Sequence, residues 1–257
     1  MINYQKITLV YMKKIWMICL MLGSLPAFAQ QEGVVVTYEK EHFWSKIYDR
    51  LTFLSEEERS RIKTTWGTHD EGYKTKGQLF ATASESKYND LEPEADGGWR
   101  GRVSEFMVYR NLDTERKTEI EEFAGKTLVI DDSLKAPSWK VLNKIKEING
   151  YMCMMAVAED TVRDAKLTAW FANDLAFNTG PERYFGLPGL IMELNVNDGE
   201  VIFTAIKVEK KPLTEEVKLP KKMKGKKITT ADYDKTLKTY INDSMKSHRN
   251  PYWNIRY

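Results

Sequence analysis

Apolar and polar residues alternate with a period of two along most of this chain, in short runs broken by turn signals. Strand side chains point alternately to the two faces of a sheet, so the pattern predicts antiparallel strands. The runs fall at 34–41, 78–83, 102–110, 118–123, 126–130, 139–145, 151–158, 166–171, 191–196 and 201–208, and in the first Val34, Val36 and Tyr38 share a face. Two hairpins are explicit. Asn149-Gly150 tolerates the positive φ of a type I′ turn, and Asn197-Asp198-Gly199 links the last two runs. Two segments read as helix instead. Ser55-Glu56-Glu57-Glu58 is a capping box and predicts a short helix over 56–64. Beyond a Thr229/Thr230 cap, Tyr233, Leu237, Tyr240, Ile241 and Met245 share one helical face, which predicts a helix docked on the sheet. The expected fold is mainly β (α+β): a curved antiparallel β-sheet meander, half-barrel-like, with a C-terminal amphipathic helix.

The N-terminus reads as an export signal. Lys13 and Lys14 precede an apolar run over 15–25, Pro26 breaks it, and Ala27-Phe28-Ala29 supplies small residues for cleavage after Ala29. Met1 and Met12 both fit as the start. The run is shorter than the roughly 20 residues that a membrane span needs. Cys19 lies inside it and not directly after a lipobox, which argues against a lipoprotein. A secreted, periplasmic protein with no transmembrane segment after cleavage is expected. Losing Lys6, Lys13 and Lys14 takes the formal charge from +2 to −1, so no global charge draws the mature chain to nucleic acid. Its length suffices for one ordinary domain with a full core. Cys153 is then the single remaining cysteine, and its neighbours Tyr151, Met152, Met154 and Met155 predict a buried, inert thiol.

After the signal at 1–29, the expected organisation is an antiparallel β domain over 30–210, a lysine-rich connector over 211–228, and the helix and tail over 229–257. The basic character begins earlier: nine lysines stand against Glu209, Glu215 and Glu216 over 207–227, with Pro212, Pro220 and Gly225 among them. Two readings are open, a solvated linker and a grip on anionic lipid headgroups or polyanions. The acidic stretch 85–96 predicts a solvated loop.

The most specific motif is Gly186-Leu187-Pro188-Gly189-Leu190-Ile191. Pro188 holds φ at about −65° and Gly189 accepts positive φ, so 187–190 fits a type II turn with Gly186, Pro188 and Gly189 as its structural residues. The turn either packs under the sheet or presents its apolar residues as a binding lip. This hexapeptide is the one for which the GLPGLI family of Bacteroidetes proteins is named. Trp139-Lys140-Val141, Ile148-Asn149-Gly150-Tyr151-Met152-Cys153 with Ala156, Thr168-Ala169-Trp170-Phe171, Gly180-Pro181, the opening at 33–39 and the tail at 224–233 resemble that family in the same order. Ala172-Asn173-Asp174-Leu175 departs from it, standing where the family more often has a proline-containing segment. The resemblance implies a Bacteroidetes origin and export, in a family of uncharacterised function often encoded near TonB-dependent outer-membrane receptors.

Motifs for chemistry are absent: no nucleophile elbow, zinc-protease helix, phosphate loop or paired cysteines. His42, His69 and His248 are far apart and none has metal-ligand spacing with another. No catalytic residue, metal or cofactor is expected. Trp139, Tyr151, Trp170, Phe171, Phe177, Tyr184 and Phe185 concentrate in the family-like block. They either fill the core or line an apolar cavity on the concave face. Glu193 either faces water or caps a pocket. The candidate ligand or partner surface is Trp170, Phe171, Tyr184, Phe185, Leu187, Leu190 and Glu193, brought to one end of the sheet if the strands over 166–171 and 191–196 are neighbours. The expected function is a periplasmic binding module for an apolar small molecule or lipid; the alternative is a protein-interaction accessory of an outer-membrane receptor.

Overall fold

The computed structural model describes residues 31–66, 72–91 and 105–256. The expected leader, His69, positions 92–96 of the acidic stretch and 102–104 of the third run lie outside the described residues.

Twelve described strands form one curved, unclosed sheet made of two meanders. The first comprises β1 (Gln31–His42), β2 (Tyr73–Ala81), β3 (Glu85–Asp90), β4 (Met107–Asn111), β5 (Arg116–Phe123) and β6 (Lys126–Ser133). The second comprises β7 (Lys140–Ile148), β8 (Tyr151–Asp160), β9 (Ala165–Ala172), β10 (Leu190–Val196) and β11 (Val201–Leu213). Antiparallel pairing of β11 with β1 joins them, so β7 lies at one edge. At the other edge β12 (Lys226–Ile228) runs parallel to β6, which makes the sheet mixed. Both hairpins form as their turn residues predict. Asn149 and Gly150 have φ 50° and 80°, and Asn197, Asp198 and Gly199 have φ 50°, 54° and 98°.

The helices are α1 (Trp44–Asp49), α2 (Glu56–Trp66) and α3 (Thr230–Lys246), followed by a 3₁₀ turn (Pro251–Trp253). The capping box works reciprocally: the Glu58 amide donates to Ser55 Oγ at 3.2 Å and the Ser55 amide to the Glu58 carboxylate at 2.9 Å. At α3, Thr229 accepts from the Asp232 amide, and the helix buries Tyr233 and Leu237. Phe123 on β5 meets Tyr233 and Tyr240 edge-on, with centroids 6.1 and 5.2 Å apart. No described helix is long and apolar enough to cross a membrane. Between sheet and helix lies one large core containing Val34, Val36, Tyr38, Leu194 and Phe203. Tyr38 donates across it to the Ile191 carbonyl at 2.7 Å. Cys153 is buried there, and burial pushes its thiol up to about 11, as an inert thiol requires.

Three expectations change. Residues 85–90 are strand, not loop: the inward positions are Ser86, Tyr88 and Asp90, so alternation shows little apolar signal. α1 follows Phe43, which offers no side-chain cap, so nothing in the sequence announces it. The connector is not a solvated linker. Leu213 and Val217 pack on Val35 and Phe80, while Leu219 and Met223 pack on Met107, Tyr109 and Ile120. Apolar residues spaced through 213–223 thus pin this segment to the sheet face opposite the main core.

Candidate functional site

Pairing of β9 with β10 brings the predicted surface residues close in the chain fold, but not onto one surface. Phe171, Tyr184, Phe185, Leu187 and Leu190 are buried and belong to the core. Leu187, only 1% exposed, is no binding lip. The turn folds inward because its backbone finds partners inside: Leu190 N–H donates to the Leu175 carbonyl at 2.9 Å and Ile191 N–H to the Thr179 carbonyl at 3.0 Å. Trp170 and Glu193, a cross-strand pair, are half-buried. Lys146 lies 4.5 Å above the Trp170 ring and 2.7 Å from the Glu193 carboxylate. Glu193 is thus the partner of a lysine, neither a lone solvated acid nor a pocket cap.

The type II turn is also replaced. Gly189 N–H donates to the Leu187 carbonyl at 2.8 Å, a tight turn centred on Pro188. Gly186, at φ 95°, takes the left-handed conformation expected of Gly189. Gly189 is required for space: a Cβ there would stand 2.3 Å from the Ala172 carbonyl oxygen.

A cavity lined by described residues is charged. It holds about 360 Å³ between the inner face of β4–β6, the 135–137 loop, the β8–β9 turn, residues 183–185 and the first turn of α3. Strand alternation sends Val108 and Arg110 inward, with Met107 and Tyr109 outward. Arg110 is buried, 1% exposed. One terminal nitrogen reaches Ser86 Oγ and Thr179 Oγ1, both at 3.4 Å, and the other donates to the Glu182 carbonyl. Its guanidinium carbon lies 5.2 Å over the Phe185 ring. Among the described residues no carboxylate forms an ion pair with it; burial lowers its pKa to about 10, opposed in part by the Glu119 charge.

Several of the charges around Arg110 are paired. Lys117 lies 2.7 Å from Glu119, and Arg183 lies 2.8 Å from Glu121 and 3.6 Å from Glu119. Burial alone would raise Glu119, yet Lys117 and Arg183 hold its carboxyl down at about 2. Arg163 binds Asp160 at 2.9 Å and donates to the Arg256 carbonyl at 2.9 Å. On the α3 wall, burial raises the Asp234 pKa. Tyr184 also lines the cavity, and among the described residues its buried hydroxyl has no hydrogen-bond partner. Burial raises that phenol, so it stays a neutral O–H donor. A buried guanidinium with no paired carboxylate and a hydroxyl with no protein partner belong to residues lining one cavity, an arrangement that can be tested for binding of a small anionic molecule.

No described group of three or more His, Cys, Asp or Glu could hold a metal. His42 is stacked on Trp44 at 5.7 Å and His248 on Phe53 at 5.2 Å. Sequence reasoning missed the cavity because its lining comes from ten separate stretches between positions 110 and 234, each with one to five residues. The one available signal was Arg110 standing at an inward position of an apolar alternation.

Residues 158–193 match the model of a family described as protein of unknown function (Porph_ging). The match includes the β8–β9 turn, Arg183, Tyr184, Phe185 and the hexapeptide. It agrees with the coarser part of the resemblance, an uncharacterised family, and does not name the GLPGLI family. No curated protein sequence matches the chain. Among solved structures, PNGF-II is similar in two crystal forms, P21 and C2, each at TM-score 0.54 and 12% identity over 80% of this chain. Those alignments cover 33% and 32% of PNGF-II, so the chain spans about a third of that protein's length. At that identity the likeness is one of fold.

Proposed function

We propose that this is an exported, periplasmic binding module of the GLPGLI type that holds a small polar molecule with an anionic group in the Arg110 cavity. The observation that carries the reading is the buried Arg110 guanidinium without a carboxylate, in the same cavity as the unpartnered Tyr184 hydroxyl. A buried cation with no directly paired carboxylate, only the nearby Glu119 charge, is costly, and a bound anion offsets part of that cost. Export rests on the leader pattern at 12–29. An apolar ligand or lipid is less well supported, since the aromatic residues that suggested it are mostly core.

Tyr184→Phe tests the cavity cleanly, because it removes only a hydroxyl that has no protein partner. Melting shifts would be recorded with small carboxylates, phosphate esters, their neutral analogues and a fatty acid. Anionic compounds should stabilise the protein and neutral analogues should not. Tyr184→Phe should weaken the best compound by about fivefold to tenfold, the worth of one hydrogen bond, without lowering the ligand-free midpoint. Stabilisation by the fatty acid alone would return the apolar reading.

One observation favours the second reading, an accessory of an outer-membrane receptor. β7 is an open edge strand, and Val141 and Ile145 on it are 45% and 60% exposed, near Met152 at 55%. Such an edge can add a partner's strand, although its lysines oppose indiscriminate pairing.

A further inference from the structure

The sheet face opposite the main core is crossed by residues 214–225, which run from the end of β11 to β12. Apolar side chains hold this strap down: Val217, beside Leu213 at the end of β11, and Leu219 and Met223 farther along. The parallel pairing of β12 with β6 fixes its far end, with Lys226 opposite Leu128. The Lys87 amine, from β3 beneath, donates to the Lys218 carbonyl at 3.3 Å. The chain is anchored, and its charges stay outside. Lys218, Lys221, Lys222, Lys224, Lys226 and Lys227 are all exposed, as is Lys126 at the start of β6.

No acidic residue occurs from Val217 to Ala231. Lys218 has an exposed ion pair with Glu215 at 3.2 Å, and among the described residues Lys221, Lys222, Lys224, Lys226 and Lys227 have none. A flexible linker would lose much conformational entropy on gripping a charged surface. This segment has already lost it in folding, so its lysines meet a partner pre-arranged.

We infer that the strap is a docking surface for a bilayer rich in anionic headgroups. The attraction is local, since the mature chain expected from the leader pattern has a formal charge of −1. Basic clusters of this size bind anionic bilayers through summed, salt-screened attraction to many headgroups. Single-stranded nucleic acid fits less well, because residues 214–228 contain no aromatic side chain on which a base stacks. This inference concerns a different face from the Arg110 cavity and stands without it.

The test is co-sedimentation of the secreted protein with vesicles of phosphatidylcholine alone and with about one-third phosphatidylglycerol, at about 0.05 M and about 0.5 M salt. Lys221→Gln/Lys222→Gln/Lys224→Gln neutralises three exposed positions that make no described ion pair. Binding to the anionic vesicles at low salt should exceed binding to the neutral ones at least tenfold and vanish at high salt. The triple Gln variant should lose at least tenfold with an unchanged melting midpoint, and the triple Arg variant should bind as the parent does. Equal capture by both vesicles, an unimpaired Gln variant, or tighter binding to a DNA duplex at equal phosphate concentration overturns the inference.

Discussion

Gly186 and Gly189 divide the work that the hexapeptide suggests for one residue. Gly186 supplies the left-handed backbone, and Gly189 supplies the absence of a side chain. The atoms nearest a Cβ at 189 are the carbonyl oxygen and carbon of Ala172, at 2.3 and 2.7 Å, then the Asn173 Cα at 3.1 Å. These are backbone atoms at the end of β9 and just beyond it, and cannot rotate away. Gly189→Ala and Gly189→Asn should therefore each cost about 1–3 kcal/mol, and Gly189→Val at least as much. A type II turn would instead spare asparagine, which tolerates the left-handed region. Urea midpoints for the three variants decide between these accounts: an Asn variant near the parent, beside a damaged Val variant, would restore the type II turn. The same residues show what sequence alone can and cannot say. Proline, glycine and leucine announced a turn, but their order does not say whether Leu187 meets water or the core.

At the scale of elements, periodicity sufficed wherever the core is apolar. The strands on both sides of β3, and α3 with its Thr229 cap, follow directly from apolar spacing and turn chemistry. It failed where the interior is polar. β3 sends Ser86 to Arg110 and Asp90 to Arg256, so the strand that helps to build the charged interior looks like a solvated loop. It failed again at the strap, where lysines between anchors hide the apolar spacing. The docking of α3 gives a direct check on the part that was legible. Leu237 is fully buried beneath the helix, whereas Lys238 is exposed. Leu237→Ala should cost about 2–5 kcal/mol. Lys238→Ala should stay within about 0.5 kcal/mol. Equal effects in urea unfolding would mean that α3 is not packed on the sheet by this face.

Across the whole molecule, a buried ionic chain ties together segments far apart in sequence. Glu182, in the loop before the hexapeptide, lies 2.6 Å from Lys40 on β1 and 3.1 Å from Arg256 in the tail. Arg256 also pairs with Asp90 on β3 and stacks over Phe106 at 3.7 Å. Burial opposes the Glu182 charge, but Lys40 and Arg256 hold its pKa down at about 2, as Lys117 and Arg183 do for Glu119. His42 moves the same way for another reason: burial, reinforced by the Lys40 charge, lowers it to about 3. All three groups hold protons more tightly in the unfolded chain, with ordinary values of 4.5 for glutamate and 6.5 for histidine. Unfolding therefore takes up protons as the pH falls, and stability falls with it. Their contribution is fully present above about 6.5 and first declines as unfolded His42 protonates; the glutamates add to the loss below about 4.5, continuing towards 2. Urea midpoints between about pH 7 and about pH 3.5 should show both stages. His42→Phe, which keeps an aromatic ring against Trp44, should flatten the upper stage and leave the lower one. A midpoint constant down to about pH 4 would show that His42 is not buried in its neutral form, because such a histidine must lose stability well before the carboxylates titrate.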